Sequence, residues 1–345
     1  MSKAVITLSV VAVCAGLTVL ALDYAVGKLV PPVAHEYETV DGIRDYAKGD
    51  PHVLVLGSSY VRSLLPLAAW YRTQTPAFEV AVVPIEGGKL SALDWLLQHR
   101  LGALIDAAEN AAPPRPRLRH LVLQTNYYDL CGVPEVQGNL PARAWNLLDY
   151  LLDFAANGAT AFNANYVDRV WKQWMSWSIL VSDRGFFRIV PYLRQQVGFG
   201  IEEAVAGRME VRLAHWLEMI RQNDIAAESC EADGQIEALD SILSFAQLRN
   251  IETSVMLWPV IPKALTPETL AVTTRFRAFV ESRAKPLGIP VFDLQEAGVL
   301  QDEDFRADLD HLIPAGDEKV SRWAEQGPIG DVYRRWAATT LGDGR

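Results

Sequence analysis

The chain has 345 residues, half of them hydrophobic and 21% charged, with 32 Lys plus Arg against 42 Asp plus Glu and a net charge of −10. An apolar content this high excludes a disordered chain, and a mean hydropathy of only +0.07 excludes a polytopic membrane protein. The acidic balance argues against a nucleic-acid partner, which would call for a basic surplus.

The first element in chain order is a charge-free run from Ala4 to Leu22, AVITLSVVAVCAGLTVLAL, bounded by Lys3 and Asp23. About 20 apolar residues suffice to cross a bilayer core as a helix. A cleaved signal peptide would have a shorter apolar region and a small-x-small cleavage site, and DYAVGKLVPP offers none. A lipoprotein signal fails at Cys14, because Val13 stands where a small residue is required. Residues 1–23 therefore read as an uncleaved anchor. Lys3 marks the short side as cytoplasmic, which places the remainder outside the inner membrane, in the periplasm of a Gram-negative cell. Residues 24–50, with Pro31-Pro32 and the polar stretch to Asp50, read as a tether.

Alternating strands and helices follow. His52–Leu56 reads as a buried strand, Ser63–Tyr71 as a helix, Phe78–Ile85 as a strand and Leu90–Ala108 as a helix. Leu118–Gln124 is a third strand, and Pro141 to about Ser229 a helical insertion holding Trp145, Trp171, Trp174, Trp177 and Trp216. The rhythm resumes with a helix over Ile236–Arg249, a strand over Glu252–Pro259, a helix over Pro267–Lys285 and a strand over Ile289–Leu294. Such alternation implies an α/β fold with a parallel sheet covered on both faces. The expected domain spans 51–325, with the insertion at 141–229, and 326–345 forms a C-terminal helix or tail. Cys131 and Cys230 can pair in an oxidising compartment, and the sequence leaves that open. No metal or cofactor motif is present: Gly198-Phe199-Gly200 lacks both the preceding strand and the third glycine of a dinucleotide loop.

Ligands of open α/β sheets bind beyond the carboxyl ends of the strands. There the sequence places Ser58 and Ser59, then Gly87 and Gly88, then Thr125 and Asn126, and after the last strand Asp308-Leu309-Asp310-His311. Serine needs a base to become a nucleophile. Histidine serves as that base when a carboxylate orients it. Asp308 lies three residues before His311 and can face the same imidazole, with Asp310 as its competitor. The Ser59 N–H, an amide of Gly87 or Gly88, and the Asn126 side chain are candidate oxyanion donors. Ser58 reads as a helix cap or a supporting donor. Trp171, Trp174 and Trp177 share one helix side, as core of the insertion or as a platform for sugars, membrane or a partner.

In order and spacing these residues resemble the SGNH (GDSL-like) hydrolases, whose landmarks run Ser, Gly, Asn, His: here Ser59 in GSSY, Gly88 in IEGGKLS, Asn126 in QTNYYDL and His311 in DLDHLIPAG. The resemblance implies a three-layer α/β/α sandwich and a Ser59–His311–Asp308 catalytic set with Ser59, Gly88 and Asn126 at the oxyanion. Two blocks depart from the usual pattern. Ser58 replaces the Asp of Gly-Asp-Ser, and Gln124-Thr125-Asn126-Tyr127 replaces Gly-x-Asn-Asp. In this the chain looks closer to divergent membrane-anchored relatives that transfer acyl groups to envelope polymers, such as proteins of alginate O-acetylation and teichoic-acid D-alanylation. The resemblance thus implies an O-acyltransferase acting on an exopolysaccharide, beside a polytopic membrane-bound O-acyltransferase or a polysaccharide synthase or secretion complex. A deacetylating esterase with the same site and a non-catalytic scaffold subunit are the alternatives.

Overall fold

The structure, a computed structural model, describes residues 51–85, 87–102, 105, 106, 118–132, 206–306 and 308–342, together with Cys14, Thr18, Gly42 and Tyr46. The chain divides into two units, Met1–Tyr37 with Trp145–Glu203, and Glu38–Ala144 with Ala204–Arg345. Of the first, only Cys14 and Thr18 are described; the Thr18 hydroxyl donates to the Cys14 carbonyl at 2.9 Å. The expected anchor otherwise lies outside the described residues, as do the tether (apart from Gly42 and Tyr46) and Trp145, Trp171, Trp174 and Trp177. Among the described residues no helix is long and apolar enough to cross a membrane.

The second unit is α/β. Its strands are β1 (Val53–Ser58), β2 (Val80–Ile85), β3 (His120–Thr125), β4 (Glu252–Leu257) and β5 (Val291–Asp293). They form a five-stranded sheet in the order β2-β1-β3-β4-β5. All pairings are parallel, with Val53 opposite both Val80 and His120. Every residue of β1, β2 and β3 is buried. Side chains alternate between faces along a strand, so full burial requires cover on both sides.

That cover comes from α1 (Leu65–Gln74), α2 (Leu90–Leu96), α3 (Ala206–Gln222), α4 (Asp233–Leu248), α5 (Pro267–Ala284), α6 (Pro314–Gln326) and α7 (Pro328–Gly342). Helix α6 packs on α1 and α7, while α2 packs on α4 and α3 on α5. Phe78 sits between Tyr71 and Trp336, with ring centroids at 5.2 and 5.3 Å, and locks α7 to the β2 edge. The helix expected over Ser63–Tyr71 begins instead as a 3₁₀ segment at Ser59–Leu64 and becomes α only at Leu65. Pro66 explains the switch. Its ring would clash inside a continuous α-helix but is tolerated in a first turn. Helix α3, grouped with the insertion by its sequence pattern, belongs to the unit that carries the sheet.

Candidate active site

The chain order doubles back between β1 and β3, which are neighbours although β2 intervenes in sequence. A crevice opens at the carboxyl ends on either side of such a switch point. Ser58 and Ser59 leave β1 there, and Asn126 leaves β3.

Ser59 opens the 3₁₀ segment, whose first N–H groups have no partner within the helix. Its approach depends on Gly57. A Cβ there would lie 2.5 Å from Gln124 Oε1 and 2.6 Å from Val61 Cγ1. That close approach lets Gln124 Oε1 accept from the Ser58 N–H at 2.9 Å and the Ser58 hydroxyl at 3.1 Å. Ser58 makes no side-chain cap. Farther along, the Ser63 hydroxyl donates to Asp317 at 2.6 Å, and the Ser321 hydroxyl donates to the Ser63 carbonyl at 2.8 Å, stitching the serine turn to α6.

The histidine comes from the loop before α6. Phe305 and Leu312 form an antiparallel bridge, and the Arg306 N–H donates to the His311 carbonyl at 2.7 Å. Leu309 turns the loop with φ +66°, a left-handed conformation costing roughly 1–2 kcal/mol in a non-glycine residue. Burial of the Leu309 side chain offsets that cost. The turn brings Asp308 back under His311: Asp308 Oδ1 accepts the backbone N–H of His311 at 2.9 Å and of Asp310 at 3.1 Å, while Oδ2 lies 3.2 Å from His311 Nδ1. Burial pushes the Asp308 carboxyl up, but the hydrogen bonds from the ring and backbone of His311 and from the Asp310 N–H outweigh it and hold the pKa at about 2. A carboxylate only accepts, so Nδ1 carries the ring proton and Nε2 is left as an acceptor. Ser59 Oγ is 2.9 Å from Nε2. From outside the loop, the Trp216 indole N–H on α3 donates to the Asp308 carbonyl at 2.7 Å.

Asn126 caps the short turn Tyr127–Leu130. Its Oδ1 accepts the Tyr128 N–H at 2.9 Å, and its own N–H donates to Asp129 at 2.8 Å. The cap fixes the amide plane, and Nδ2 is buried without a hydrogen-bond partner among the described residues. Gln124 Nε2, the Tyr127 hydroxyl, Asp129 Oδ1 and Trp258 Nε1 share that condition. Each such atom costs about 1–3 kcal/mol, so a group of them at one end of the sheet calls for a reason. Burial raises the Asp129 carboxyl to about 7, against the lowering pull of the Asn126 N–H, the Thr125 hydroxyl and Lys89.

Gly88 differs from expectation. Its N–H donates to the Ile85 carbonyl at 3.0 Å, closing a turn through Gly87 at φ +60°. A Cβ on Gly88 would lie 2.7 Å from the Ile85 side chain. Glycine serves the turn here, and the N–H assigned from sequence to an oxyanion is already bonded.

Two nearby residues had no part in the sequence reading. Tyr60, next to Ser59, stacks on Trp258 with centroids 5.0 Å apart. The strand-end rule would have found Trp258 had the fourth strand not been drawn through Pro259; β4 stops at Leu257.

A second serine–histidine–carboxylate set lies towards the amino ends of β3 and β4, beside a cavity of about 560 Å³. His120 Nε2 is 2.9 Å from Ser254 Oγ, and Nδ1 is 3.5 Å from Glu252. Ser254 is buried within β4. Burial lowers His120 to about 4, against the upward pull of Glu252, which makes it a poor base near neutrality. Cross-strand packing accounts for this set, because the register pairs His120 with Glu252 and Val122 with Ser254.

Cys131 and Cys230 form a disulfide, tying the end of the Asn126 turn to the segment between α3 and α4. Among the described residues no group of three His, Cys, Asp or Glu side chains could hold a metal. No protein-family model and no curated protein matches the chain.

Proposed function

We propose that the protein is a serine acyltransferase of the SGNH type, anchored in the inner membrane and acting in the periplasm on an envelope glycan. The observation that carries this reading is the line from Ser59 Oγ through His311 Nε2 and Nδ1 to Asp308, standing where β1 ends. In the proposed reaction the Ser59 hydroxyl proton passes to His311 Nε2 as Oγ attacks an acyl carbonyl. Asp308, ionised at neutral pH, balances the imidazolium. The Ser59 N–H and Asn126 Nδ2 take the oxyanion, and Gly88 holds the turn beside them. The donor's leaving group departs with the His311 proton, and Ser59 retains the acyl group as an ester. A sugar hydroxyl, deprotonated by His311, then attacks that ester, and Ser59 recovers its proton.

The Cys131–Cys230 disulfide supports an oxidising compartment, in keeping with the apolar run Ala4–Leu22 as an anchor. O-acetyl is the acyl group and an exopolysaccharide the acceptor that the sequence resemblance favours, with a polytopic membrane-bound O-acyltransferase, or a polysaccharide synthase or secretion complex, as donor-side partner. The same site can hydrolyse. His311 is 25% exposed, enough for water to reach it as the second nucleophile.

The test is polymer acylation in cells carrying Ser59→Ala. Loss of acyl groups from the polymer is expected from transfer, and a gain from deacetylation. Unchanged acylation would overturn both enzymatic readings and leave a scaffold. In vitro, partition of acetyl from a chromogenic ester between added glycan and water separates transferase from esterase.

A further inference from the structure

The tyrosine that follows the nucleophile links both halves of the site. The Tyr60 hydroxyl donates to Asp310 Oδ1 and accepts from the Tyr128 hydroxyl at 2.9 Å. Tyr128 in turn has its N–H on Asn126 Oδ1. The Tyr60 ring is held between Trp258, on which it stacks, and His311, whose ring centroid is 5.7 Å away. Burial, then the mutual charges of the pair and of Asp310, push Tyr60 well above its ordinary pKa; burial does the same for Tyr128. Both phenols therefore stay protonated and donate.

Asp310 thereby occupies an unusual position. One oxygen is bound by Tyr60, and the other stands 4.0 Å from His311 Nδ1, beyond hydrogen-bond reach. Asp308 holds the same nitrogen at 3.2 Å. A single N–H faces two carboxylates. If Asp310 took that proton, the imidazole would turn and carry Nε2 away from Ser59.

We propose that Asp310 is a second partner of His311, acting through its charge alone, and that Tyr60, backed by Tyr128, is the positioning residue that keeps Asp310 from displacing Asp308. This rests on the Ser59–His311–Asp308 reading and deepens it. Among the described residues, the charged and titratable groups that meet the His311 ring include Asp308 and Asp310 on its own loop, Tyr60 after β1 and Asp317 on α6, with Tyr128 behind Tyr60. Among these, Asp310 is the one whose reach a phenol controls. Removing its charge weakens the stabilisation of the imidazolium. Removing the Tyr60 hydroxyl exposes the imidazole to more of that charge and frees Asp310 to close on Nδ1.

The experiment is NMR titration of the His311 ring in the full chain, its resonance assigned by its loss in His311→Gln. Asp310→Asn should lower the His311 pKa by about one unit, as removal of an opposite charge near 4 Å does. Tyr60→Phe, which keeps the stack on Trp258, should raise it, and the double variant should follow Asp310→Asn alone. The proposal is overturned if Asp310→Asn leaves the titration unmoved, or if Tyr60→Phe moves it downward as well. Should Tyr60→Phe fail to fold, Tyr128→Phe takes its place, with a smaller upward shift expected. The titration reads the imidazole directly, so it holds whether or not the protein transfers acyl groups; covalent labelling of Ser59 tests that separately.

Discussion

Asn126 shows how one side chain is divided between structure and chemistry. Its oxygen caps a turn, which leaves the amide nitrogen fixed and unmatched. If that nitrogen serves an oxyanion, Asn126→Ala should lower kcat by about 10²–10³-fold with little change in KM, measured on a chromogenic ester. Asp129 makes a prediction of opposite character. The folded protein holds its proton with a pKa of about 7, against about 4 in the unfolded chain. Stability from this group is therefore complete below about pH 4 and is lost as pH rises through about 7. Melting curves should show Asp129→Asn gaining on the wild type between pH 5 and about 8; a constant difference would contradict the assignment. Asp308 runs the other way, its contribution present above about pH 4 and lost as pH falls through about 2. Ser59, Asp308, Asn126 and His311 were legible because each follows a strand or keeps a spacing that chemistry requires. The bond between the Gly88 N–H and Ile85 was not, since a glycine pair reads alike as a donor or a turn. Nor was Tyr60, whose role depends on Asp310, 250 positions away.

Among the elements, those with regular apolar patterns were legible to within a few residues: the helix expected over Pro267–Lys285 is Pro267–Ala284, with Thr266 and Thr269 forming a capping box. Helix α6 was missed. It starts at a proline, and its buried stripe includes Gly316 and Ala324, residues too small to mark a hydrophobic face. The helix expected over Leu90–Ala108 is α-helical over Leu90–Leu96, π-helical from Leu97 to Leu101 and α-helical again at Gly102, Ile105 and Asp106, and that local widening is one that periodicity does not foretell. The sharpest test at this scale is Gly57→Ala. The added methyl meets the Gln124 side chain and Val61 inside the sheet, so urea unfolding should show a loss of about 1–3 kcal/mol. Displacement of Gln124 should also release Ser58 and blunt the reactivity of Ser59.

At the scale of the molecule, strand order decides where chemistry can occur. The reversal between β1 and β3 brings the ends of Ser58 and Thr125 to one crevice, and the loop before α6 delivers His311 to it from far along the chain. The alternating pattern made a parallel sheet legible, but not its order, which depends on contacts between distant segments. The disulfide spans 99 positions; for a loop of that length the chain-entropy account gives about 4.7 kcal/mol at 25 °C. Replacing Cys131 and Cys230 with serine should therefore lower the urea midpoint strongly, and an unchanged midpoint would show that the bond carries no stability. In the proposed reaction Ser59 takes and holds an acyl group. The most direct test is mass spectrometry of the full chain quenched in acid shortly after mixing with 4-nitrophenyl acetate. An acetyl ester mapped to Ser59 is expected, absent in Ser59→Ala and strongly reduced in His311→Ala. An unmodified Ser59, or an ester that forms equally well without His311, would contradict that reaction.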